Sequence, residues 1–503
     1  MQKMDVRNRK TSLVNKSNKW EQVFYVAFIC GVFIYLFLFF SRIHPLMLHD
    51  GDDWGYASYS RGALPIWGYW NPSKVFPEIA MPICVNIAAY FVMPLGFDLS
   101  WSITYTMAAV VSIAITVYIV LMERYLRYQY GNSKAYCILL TMVFFICHFL
   151  VFRTKRDHND HLFYCWNVNC YFNYLIPSLI SAGIVLLMES STVFKRFADD
   201  AHLIFQGVLF LICYLAIFSN LYSSYILAVY LGMTLLAAAV NIGFHPSEIG
   251  RIAAQNAWRM VLMILWIVCA IFELNGGRAT QISTTPGNLS MIKSVVREYL
   301  ERISDVNMKF IWICMIPCIV SVIVCLHSGI RNQKEKTFIR GFILGIGGMC
   351  IASVYLVLVS SVTGNGYLSR PDVVFGAYFF FLIASFSAWN YLIEKIPRII
   401  MIVPMIVLVM IFETDRRYDT FKEISVDGLS AQTCADINAA IIGQIVEADQ
   451  AHMTYTDVYI PEGPYWYIGD AIARTLLKCG IIDQEVYTTL IVDPYFYERY
   501  GID

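Results

Sequence analysis

The residues best suited to chemistry stand together early in the chain, in His49-Asp50-Gly51-Asp52-Asp53-Trp54-Gly55-Tyr56-Ala57, just beyond the first long apolar run. Three carboxylates within four residues can raise one another's pKa, hold a divalent cation, or take the proton of a hydroxyl group. The same acids could also cap a short helix in a wet loop. Trp67, Trp70 and Asn71 follow in the same loop. A second segment, RTKRDHNDHLFYCWNVNCYFNYLIP from Arg153, carries His158, Asp160 and His161, which are metal ligands by type. It also carries Trp166, Tyr171 and Tyr174, whose rings could stack on a sugar or sit in an aromatic belt. Arg278 and Arg370 each follow a turn-rich stretch (Asn275-Gly-Gly-Arg278 and Asn365-Gly-Tyr-Leu-Ser-Arg370-Pro371). An arginine at the end of a span can fork onto a phosphate at headgroup depth, or simply snorkel to the interface.

The elements that must position these groups are apolar helices. The 503 residues are 58% hydrophobic and 15% charged, against roughly a quarter charged in an ordinary soluble domain. The apolar residues are bunched into long runs, and in hydrocarbon such runs must pair their own backbone groups as helices. Eleven spans are expected, near 23–40, 101–122, 135–152, 172–189, 203–219, 225–242, 257–274, 310–327, 340–362, 373–393 and 399–412. The first is too long for a signal-peptide core and lacks a clean cleavage site. Residues 1–22, with Lys3, Arg7, Arg9, Lys10, Lys16 and Lys19, should therefore stay in the cytoplasm.

The stretch Ala80–Phe97 is ambiguous, because Pro82, Asn86 and Pro94 interrupt a run that is barely long enough to span. Charge decides it. If 80–97 lies on the outer interface, the connections carrying Arg124, Arg127 and Lys134, Lys195 and Arg196, Arg251, Arg331 to Arg340, and Lys395 and Arg398 all fall inside. The first outer loop is then 43–100 and the membrane domain 23–413. Two segments resist this scheme, Arg153–Arg156 and the 275–309 loop with Arg278, Lys293, Arg297 and Arg302; both are basic yet placed outside.

Residues 414–503 hold 15 Asp/Glu and 6 Lys/Arg, and so form an acidic, solvated segment that the span count places outside the membrane. A strand-like TYTDVYI and a helical stretch Asp470–Cys479 make it a small α/β domain. No charge pattern suggests nucleic acid. No CxxC pair occurs, and Cys434 and Cys479 could bridge in an extracytoplasmic tail. No nucleotide-binding glycine fingerprint or P-loop is present, so an enzyme here must receive an activated substrate other than a cytosolic nucleotide sugar.

A basic N-terminus, one span, then an outer loop with Asp52-Asp53 and an aromatic-rich stretch resembles the type-C, polyprenol-phosphate-dependent membrane glycosyltransferases. More narrowly it resembles the bacterial O-antigen glucosyltransferase-like membrane proteins. The pieces that carry the resemblance are DDWGYA, the WxxNxxY-like Trp166–Tyr174 region, the Asn275–Arg278 turn, Ser369-Arg370-Pro371, and the tail VYIPEG … IVDPYFYERYGI. It implies an all-α polytopic fold of about eleven transmembrane helices in the plasma (inner) membrane, with interfacial helices in the first outer loop. It further implies inverting transfer of a sugar, glucose being one candidate, from a polyprenyl phosphate to a glycan or lipid-linked acceptor such as lipopolysaccharide. Asp52 or Asp53 would be the general base, with Asp52, the leading acid of the pair, favoured. Arg278 and Arg370 would hold the donor phosphate, and Trp67, Trp70, Asn71, Trp166, Asn169 and Tyr174 the sugar and acceptor. A divalent cation is compatible with this reading, with His158, Asp160 and His161 as its candidate ligands. The lysine-proline-proline stretch of some relatives is absent; Lys74-Val-Phe-Pro77 stands nearest to it.

Two other classes fit a polytopic chain. A transporter or flippase for a lipid-linked glycan should carry ionisable groups at mid-membrane or an internal repeat, whereas charges here gather at span ends and no repeat is found. A non-catalytic assembly partner would keep the spans without needing Asp52 or Asp53.

Overall fold

The computed structural model describes residues 19–58, 75–153, 160–190, 203–241, 250, 256–275, 289–330, 332–364, 366–415, 429–462 and 470–502. The apolar runs are helices, and the chain is an all-α polytopic membrane protein with one small sheet near its C-terminus. Among the described residues ten helices are long and apolar enough to cross a membrane. Two more apolar helices, Lys134–Leu150 and Ile204–Ile217, are shorter. Each of the eleven expected runs falls on one of these twelve. The additional helix is Glu78–Leu95, long and apolar enough to span where the sequence reading expected an interfacial helix.

That helix is broken by a π-turn at Ala88–Val92, and tail residues follow it for some distance. Thr475, Lys478 and Cys479 face Pro82, Val85 and Asn86 across a small cavity, and the Tyr90 hydroxyl donates to the Lys478 carbonyl at 3.2 Å. Pro82 to Tyr90 is about 12 Å of helix.

Lipid-facing helices are exposed on one side, as at Ile316, Ile319 and Ile323 of Met308–Ser328. The centre is built by Val168–Ser190 and Pro371–Lys395, the two most buried spans. Pro371–Lys395 packs closely on Gln333–Thr363 through a glycine face. A Cβ at Gly345 would sit 2.4 Å from the Ala384 backbone nitrogen, and one at Gly348 would sit 2.4 Å from the Phe380 ring. Small residues let the two helix axes approach, which is how helices associate where lipid gives no hydrophobic drive.

The amphipathic helix Leu289–Ser304 ties two connecting segments together. Glu298 accepts from the backbone N–H groups of Gly366 (3.0 Å) and Ser369 (2.8 Å), bracing the turn that carries Arg370. That turn needs glycine, since Gly364 and Gly366 have φ of 111° and 94°. At the helix's other end Arg302 pairs with Asp160 at 2.7 Å and lies 3.6 Å over the Phe152 ring. Just beyond, Val306 bridges to Phe152 as a short antiparallel pair.

In the tail, Tyr455–Pro461 and Tyr487–Asp493 form a parallel two-stranded sheet in register from Tyr455 opposite Tyr487, joined by the crossover helix Ala471–Lys478. The helix Ala431–Gln450 meets the membrane part, where the Asn438 side-chain amide donates to the Leu48 carbonyl at 2.7 Å. Lys478 reaches the Ser58 carbonyl. Cys434 and Cys479 are both buried and not joined to each other, so the disulfide considered for the tail is not formed.

Candidate functional site

The acidic cluster folds as the helix Gly51–Ser58. Asp50 starts it, its Oδ1 accepting the Asp52 backbone N–H at 2.6 Å. Asp52 and Asp53 then fall in the first turn, where the helix dipole favours carboxylates. Successive residues on a helix point about 100° apart, so the two acids have different surroundings. Asp52 is exposed, and Asp53 is fully buried.

Asp53 closes the start of a second helix. Val168–Ser190 begins after Asn167, whose own side chain makes no cap; its amide donates instead to Asp50 Oδ2 at 2.6 Å. The first N–H groups of that helix need an acceptor, and Asp53 supplies it from another part of the chain. Its Oδ1 accepts from the Asn169 backbone (2.7 Å) and side-chain amide (2.9 Å), and its Oδ2 from the Val168 N–H (3.4 Å). His49 Nδ1 stands 3.9 Å from Oδ2. Burial pushes the Asp53 carboxyl up to about 6; His49 and the Asn169 donors pull it the other way, and Asp50 adds to the rise. Burial likewise raises Asp50.

Arg370 reaches the same helix start at the next residue, Cys170. It precedes Pro371, the first residue of Pro371–Lys395, where a missing N–H costs nothing. Its Nε and Nη2 fork onto the buried Asp372 at 3.2 and 2.6 Å, and Nη2 also donates to Cys170 Sγ at 3.2 Å. The guanidinium lies 4.4 Å from the Tyr174 ring centre and 5.7 Å from that of Trp166. Asn169 holds the acid and Cys170, the next residue, touches the arginine.

Five of the residues singled out from sequence therefore meet around the start of Val168–Ser190: Asp53, Trp166, Asn169, Tyr174 and Arg370. Asp52 lies on the exposed side of the neighbouring helix. Arg278, Trp67, Trp70, Asn71 and His158 lie outside the described residues, as does Lys74. Asp160 and His161 go elsewhere. Asp160 is committed to Arg302, and the buried His161 ring packs between Phe39 (5.4 Å) and Phe149 (5.1 Å), where burial holds it well below its ordinary pKa. Their surroundings do not suit a divalent cation, and among the described residues no group of three or more His, Cys, Asp or Glu converges for a metal. The Asp50 and Asp53 oxygens face N–H donors, which a cation would have to displace.

Two residues that shape the site, Asp372 and Glu298, escaped the sequence reading. Asp372 could have been noticed as an acid opening an apolar run directly after proline. The helix bearing Glu298 and Arg302 shows in LSMIKSVVREYLERIS, whose Ile292, Val295, Val296, Tyr299 and Leu300 recur at helical spacing.

No family model and no curated protein matches the chain. Among solved structures it is similar to an oligosaccharyltransferase from Archaeoglobus fulgidus, crystallised in complex with zinc and sulfate, at 12% identity and a TM-score of 0.46. The match covers 93% of this chain and 62% of the archaeal one.

Proposed function

We propose that the chain is an inverting membrane glycosyltransferase that moves a sugar from a polyprenyl-phosphate donor to a cell-envelope glycan at the outer face of the membrane. The observation that carries this reading is the meeting of a buried acid and an arginine at the first turn of Val168–Ser190, with Trp166 just before that turn and Tyr174 just beyond it, both beside the guanidinium.

In the proposed reaction the acceptor hydroxyl oxygen attacks the anomeric carbon while the bond from that carbon to the phosphate oxygen breaks. Polyprenyl phosphate leaves with the bonding electrons, and a carboxylate takes the hydroxyl proton. Asp52 is the better base, because a base must be reached by the hydroxyl it deprotonates and Asp52 is exposed. Asp53, with both oxygens engaged, is the positioning residue that locks the acidic helix to Val168–Ser190. Arg370, its charge balanced and its plane fixed by Asp372, offers Nη1 to the donor phosphate, with Arg278 as second cation. Trp166 and Tyr174 give the sugar its stacking faces. The tail contacts along Pro82–Tyr90 support an interfacial helix beside the site, and with it an extracytoplasmic tail.

The test is to feed membranes containing the chain with polyprenyl phosphate carrying a labelled sugar. Label should pass into glycan with the wild-type chain and not when Asp52 and Asp53 are both asparagine. Label that crosses the bilayer still attached to its lipid would favour a transporter. Incorporation indifferent to both acids would favour a non-catalytic assembly partner.

A further inference from the structure

The helix Leu289–Ser304 has three faces where a surface helix of a soluble protein has two. At about 100° per residue, Met291, Val295, Tyr299 and Arg302 share one face, Ile292, Val296, Leu300 and Ile303 a second, and Lys293, Arg297 and Glu301 a third. The first face packs on the protein. Val295 is fully buried, the Tyr299 hydroxyl meets Ser353 Oγ at 2.8 Å, and Arg302 is held by Asp160. The third is wet, with Arg297 pairing to Glu301 along the helix at 2.9 Å. The second is apolar and uncovered: Leu300 and Ile303 are 59% and 47% exposed, and Leu289 and Val296 on the same side are exposed as well.

This helix lies level with the ends of membrane spans. Glu298 is hydrogen-bonded to the turn between Gln333–Thr363 and Pro371–Lys395. Ser353, which Tyr299 meets, is ten residues inside the first of those spans, about 15 Å from Thr363. Arg302 lies against the Phe152 ring, and that ring contacts Tyr378 at 5.4 Å, seven residues or about 10 Å inside the second span. Ser304 is four residues from Met308, where a further span begins. The helix is therefore held down at the depth where hydrocarbon gives way to headgroups, not raised into water. On the span that follows, exposure resumes at Met308 and Trp312 and continues along the lipid-facing side at Ile316, Ile319 and Ile323. A tryptophan one turn inside a span sits where the aromatic belt does.

We infer that Leu289–Ser304 is seated in the bilayer interface, with the stripe of Ile292, Val296, Leu300 and Ile303 in the upper acyl chains and Lys293 and Arg297 among the headgroups. The basic residues of this segment, which sit awkwardly with the span scheme, then each have a place: Arg302 answers Asp160, and Lys293 and Arg297 meet phosphates. Through Glu298 the seat also fixes the level of the turn that carries Arg370. The inference stands independently of the transferase reading.

The full chain would be reconstituted in phosphatidylcholine vesicles with a polarity-sensitive fluorescent amino acid introduced genetically in place of Val296, Leu300 or Arg297, one at a time. The probes replacing Val296 and Leu300 should emit to the blue of the probe replacing Arg297. They should also lose most of their emission when the lipid is phosphatidylcholine brominated near the top of its acyl chains. The probe replacing Arg297 should instead be quenched by iodide in the water. Water-like emission from the Val296 and Leu300 positions, indifferent to brominated lipid, overturns the inference. So does blue emission that brominated lipid leaves untouched, the sign of a protein cover. If that emission turns red as the chain is diluted into more lipid, the cover is a second copy. All three positions are exposed, so each variant should elute and melt as the wild type does, and either of the two stripe positions decides should the other variant not fold.

Discussion

Replacing Asp53 by asparagine should remove a pH dependence of stability that this one carboxyl creates. Its pKa is raised from 3.8 to about 6 in the fold, mainly by burial. The folded chain therefore binds this proton more tightly than the unfolded chain. The stabilisation is fully present below about pH 4 and is lost as pH rises through 6. The whole shift corresponds to about 3 kcal/mol, of which about 1.4 kcal/mol falls between pH 5 and 7.5. Asparagine does not titrate. Its Oδ1 can still accept from the Asn169 backbone and side-chain amides, but its amide hydrogens would face the Val168 N–H, losing about 1–3 kcal/mol. Removing the buried charge offsets part of that loss at neutral pH. Thermal unfolding of wild type and Asp53→Asn, purified and compared at matched pH, isolates the effect, because His49 and Asp50 are present in both. The wild-type advantage should be larger at pH 5 than at pH 7.5. A difference that is constant across this range, or that grows with pH, would refute the assignment of a raised, buried Asp53.

Arg302→Gln leaves Asp160 buried without its cation and should cost about 3–5 kcal/mol, read as a lower unfolding temperature; an unchanged temperature would mean that the pair does not brace the segments it joins. Gly345→Leu pushes a side chain into the Ala384 backbone and should cost about 1–3 kcal/mol or more, whereas the same change at Gly31, with nothing within 4 Å of its Cβ, should be nearly silent by the same assay.

The helical runs were legible because hydrocarbon leaves a chain few options, and every expected span is a helix. The separation of Asp52 from Asp53 was legible too, since adjacent residues of a turning segment must point different ways. Which of the two is buried was not, because it depends on Val168–Ser190 arriving more than a hundred residues later and needing an acceptor for its first N–H groups. The same holds for Arg302. Sequence marked it as a cation on the wrong side of the membrane, but its partner Asp160 lies 142 residues away, and no local pattern names such a pair. Asp160 and His161 looked like ligands by type. One is paired with an arginine and the other packed among phenylalanines, and both outcomes are decided by distant parts of the chain.

The most direct test of the proposed mechanism is the rate at which the purified, reconstituted chain releases polyprenyl phosphate from a saturating polyprenyl-phosphate sugar in the presence of acceptor, compared between wild type and Asp52→Asn. Asparagine keeps the shape and loses the basicity, so the rate should fall by about two to four orders of magnitude while unfolding temperature and donor binding stay as in the wild type. A variant that turns over at the wild-type rate would contradict Asp52 as the base.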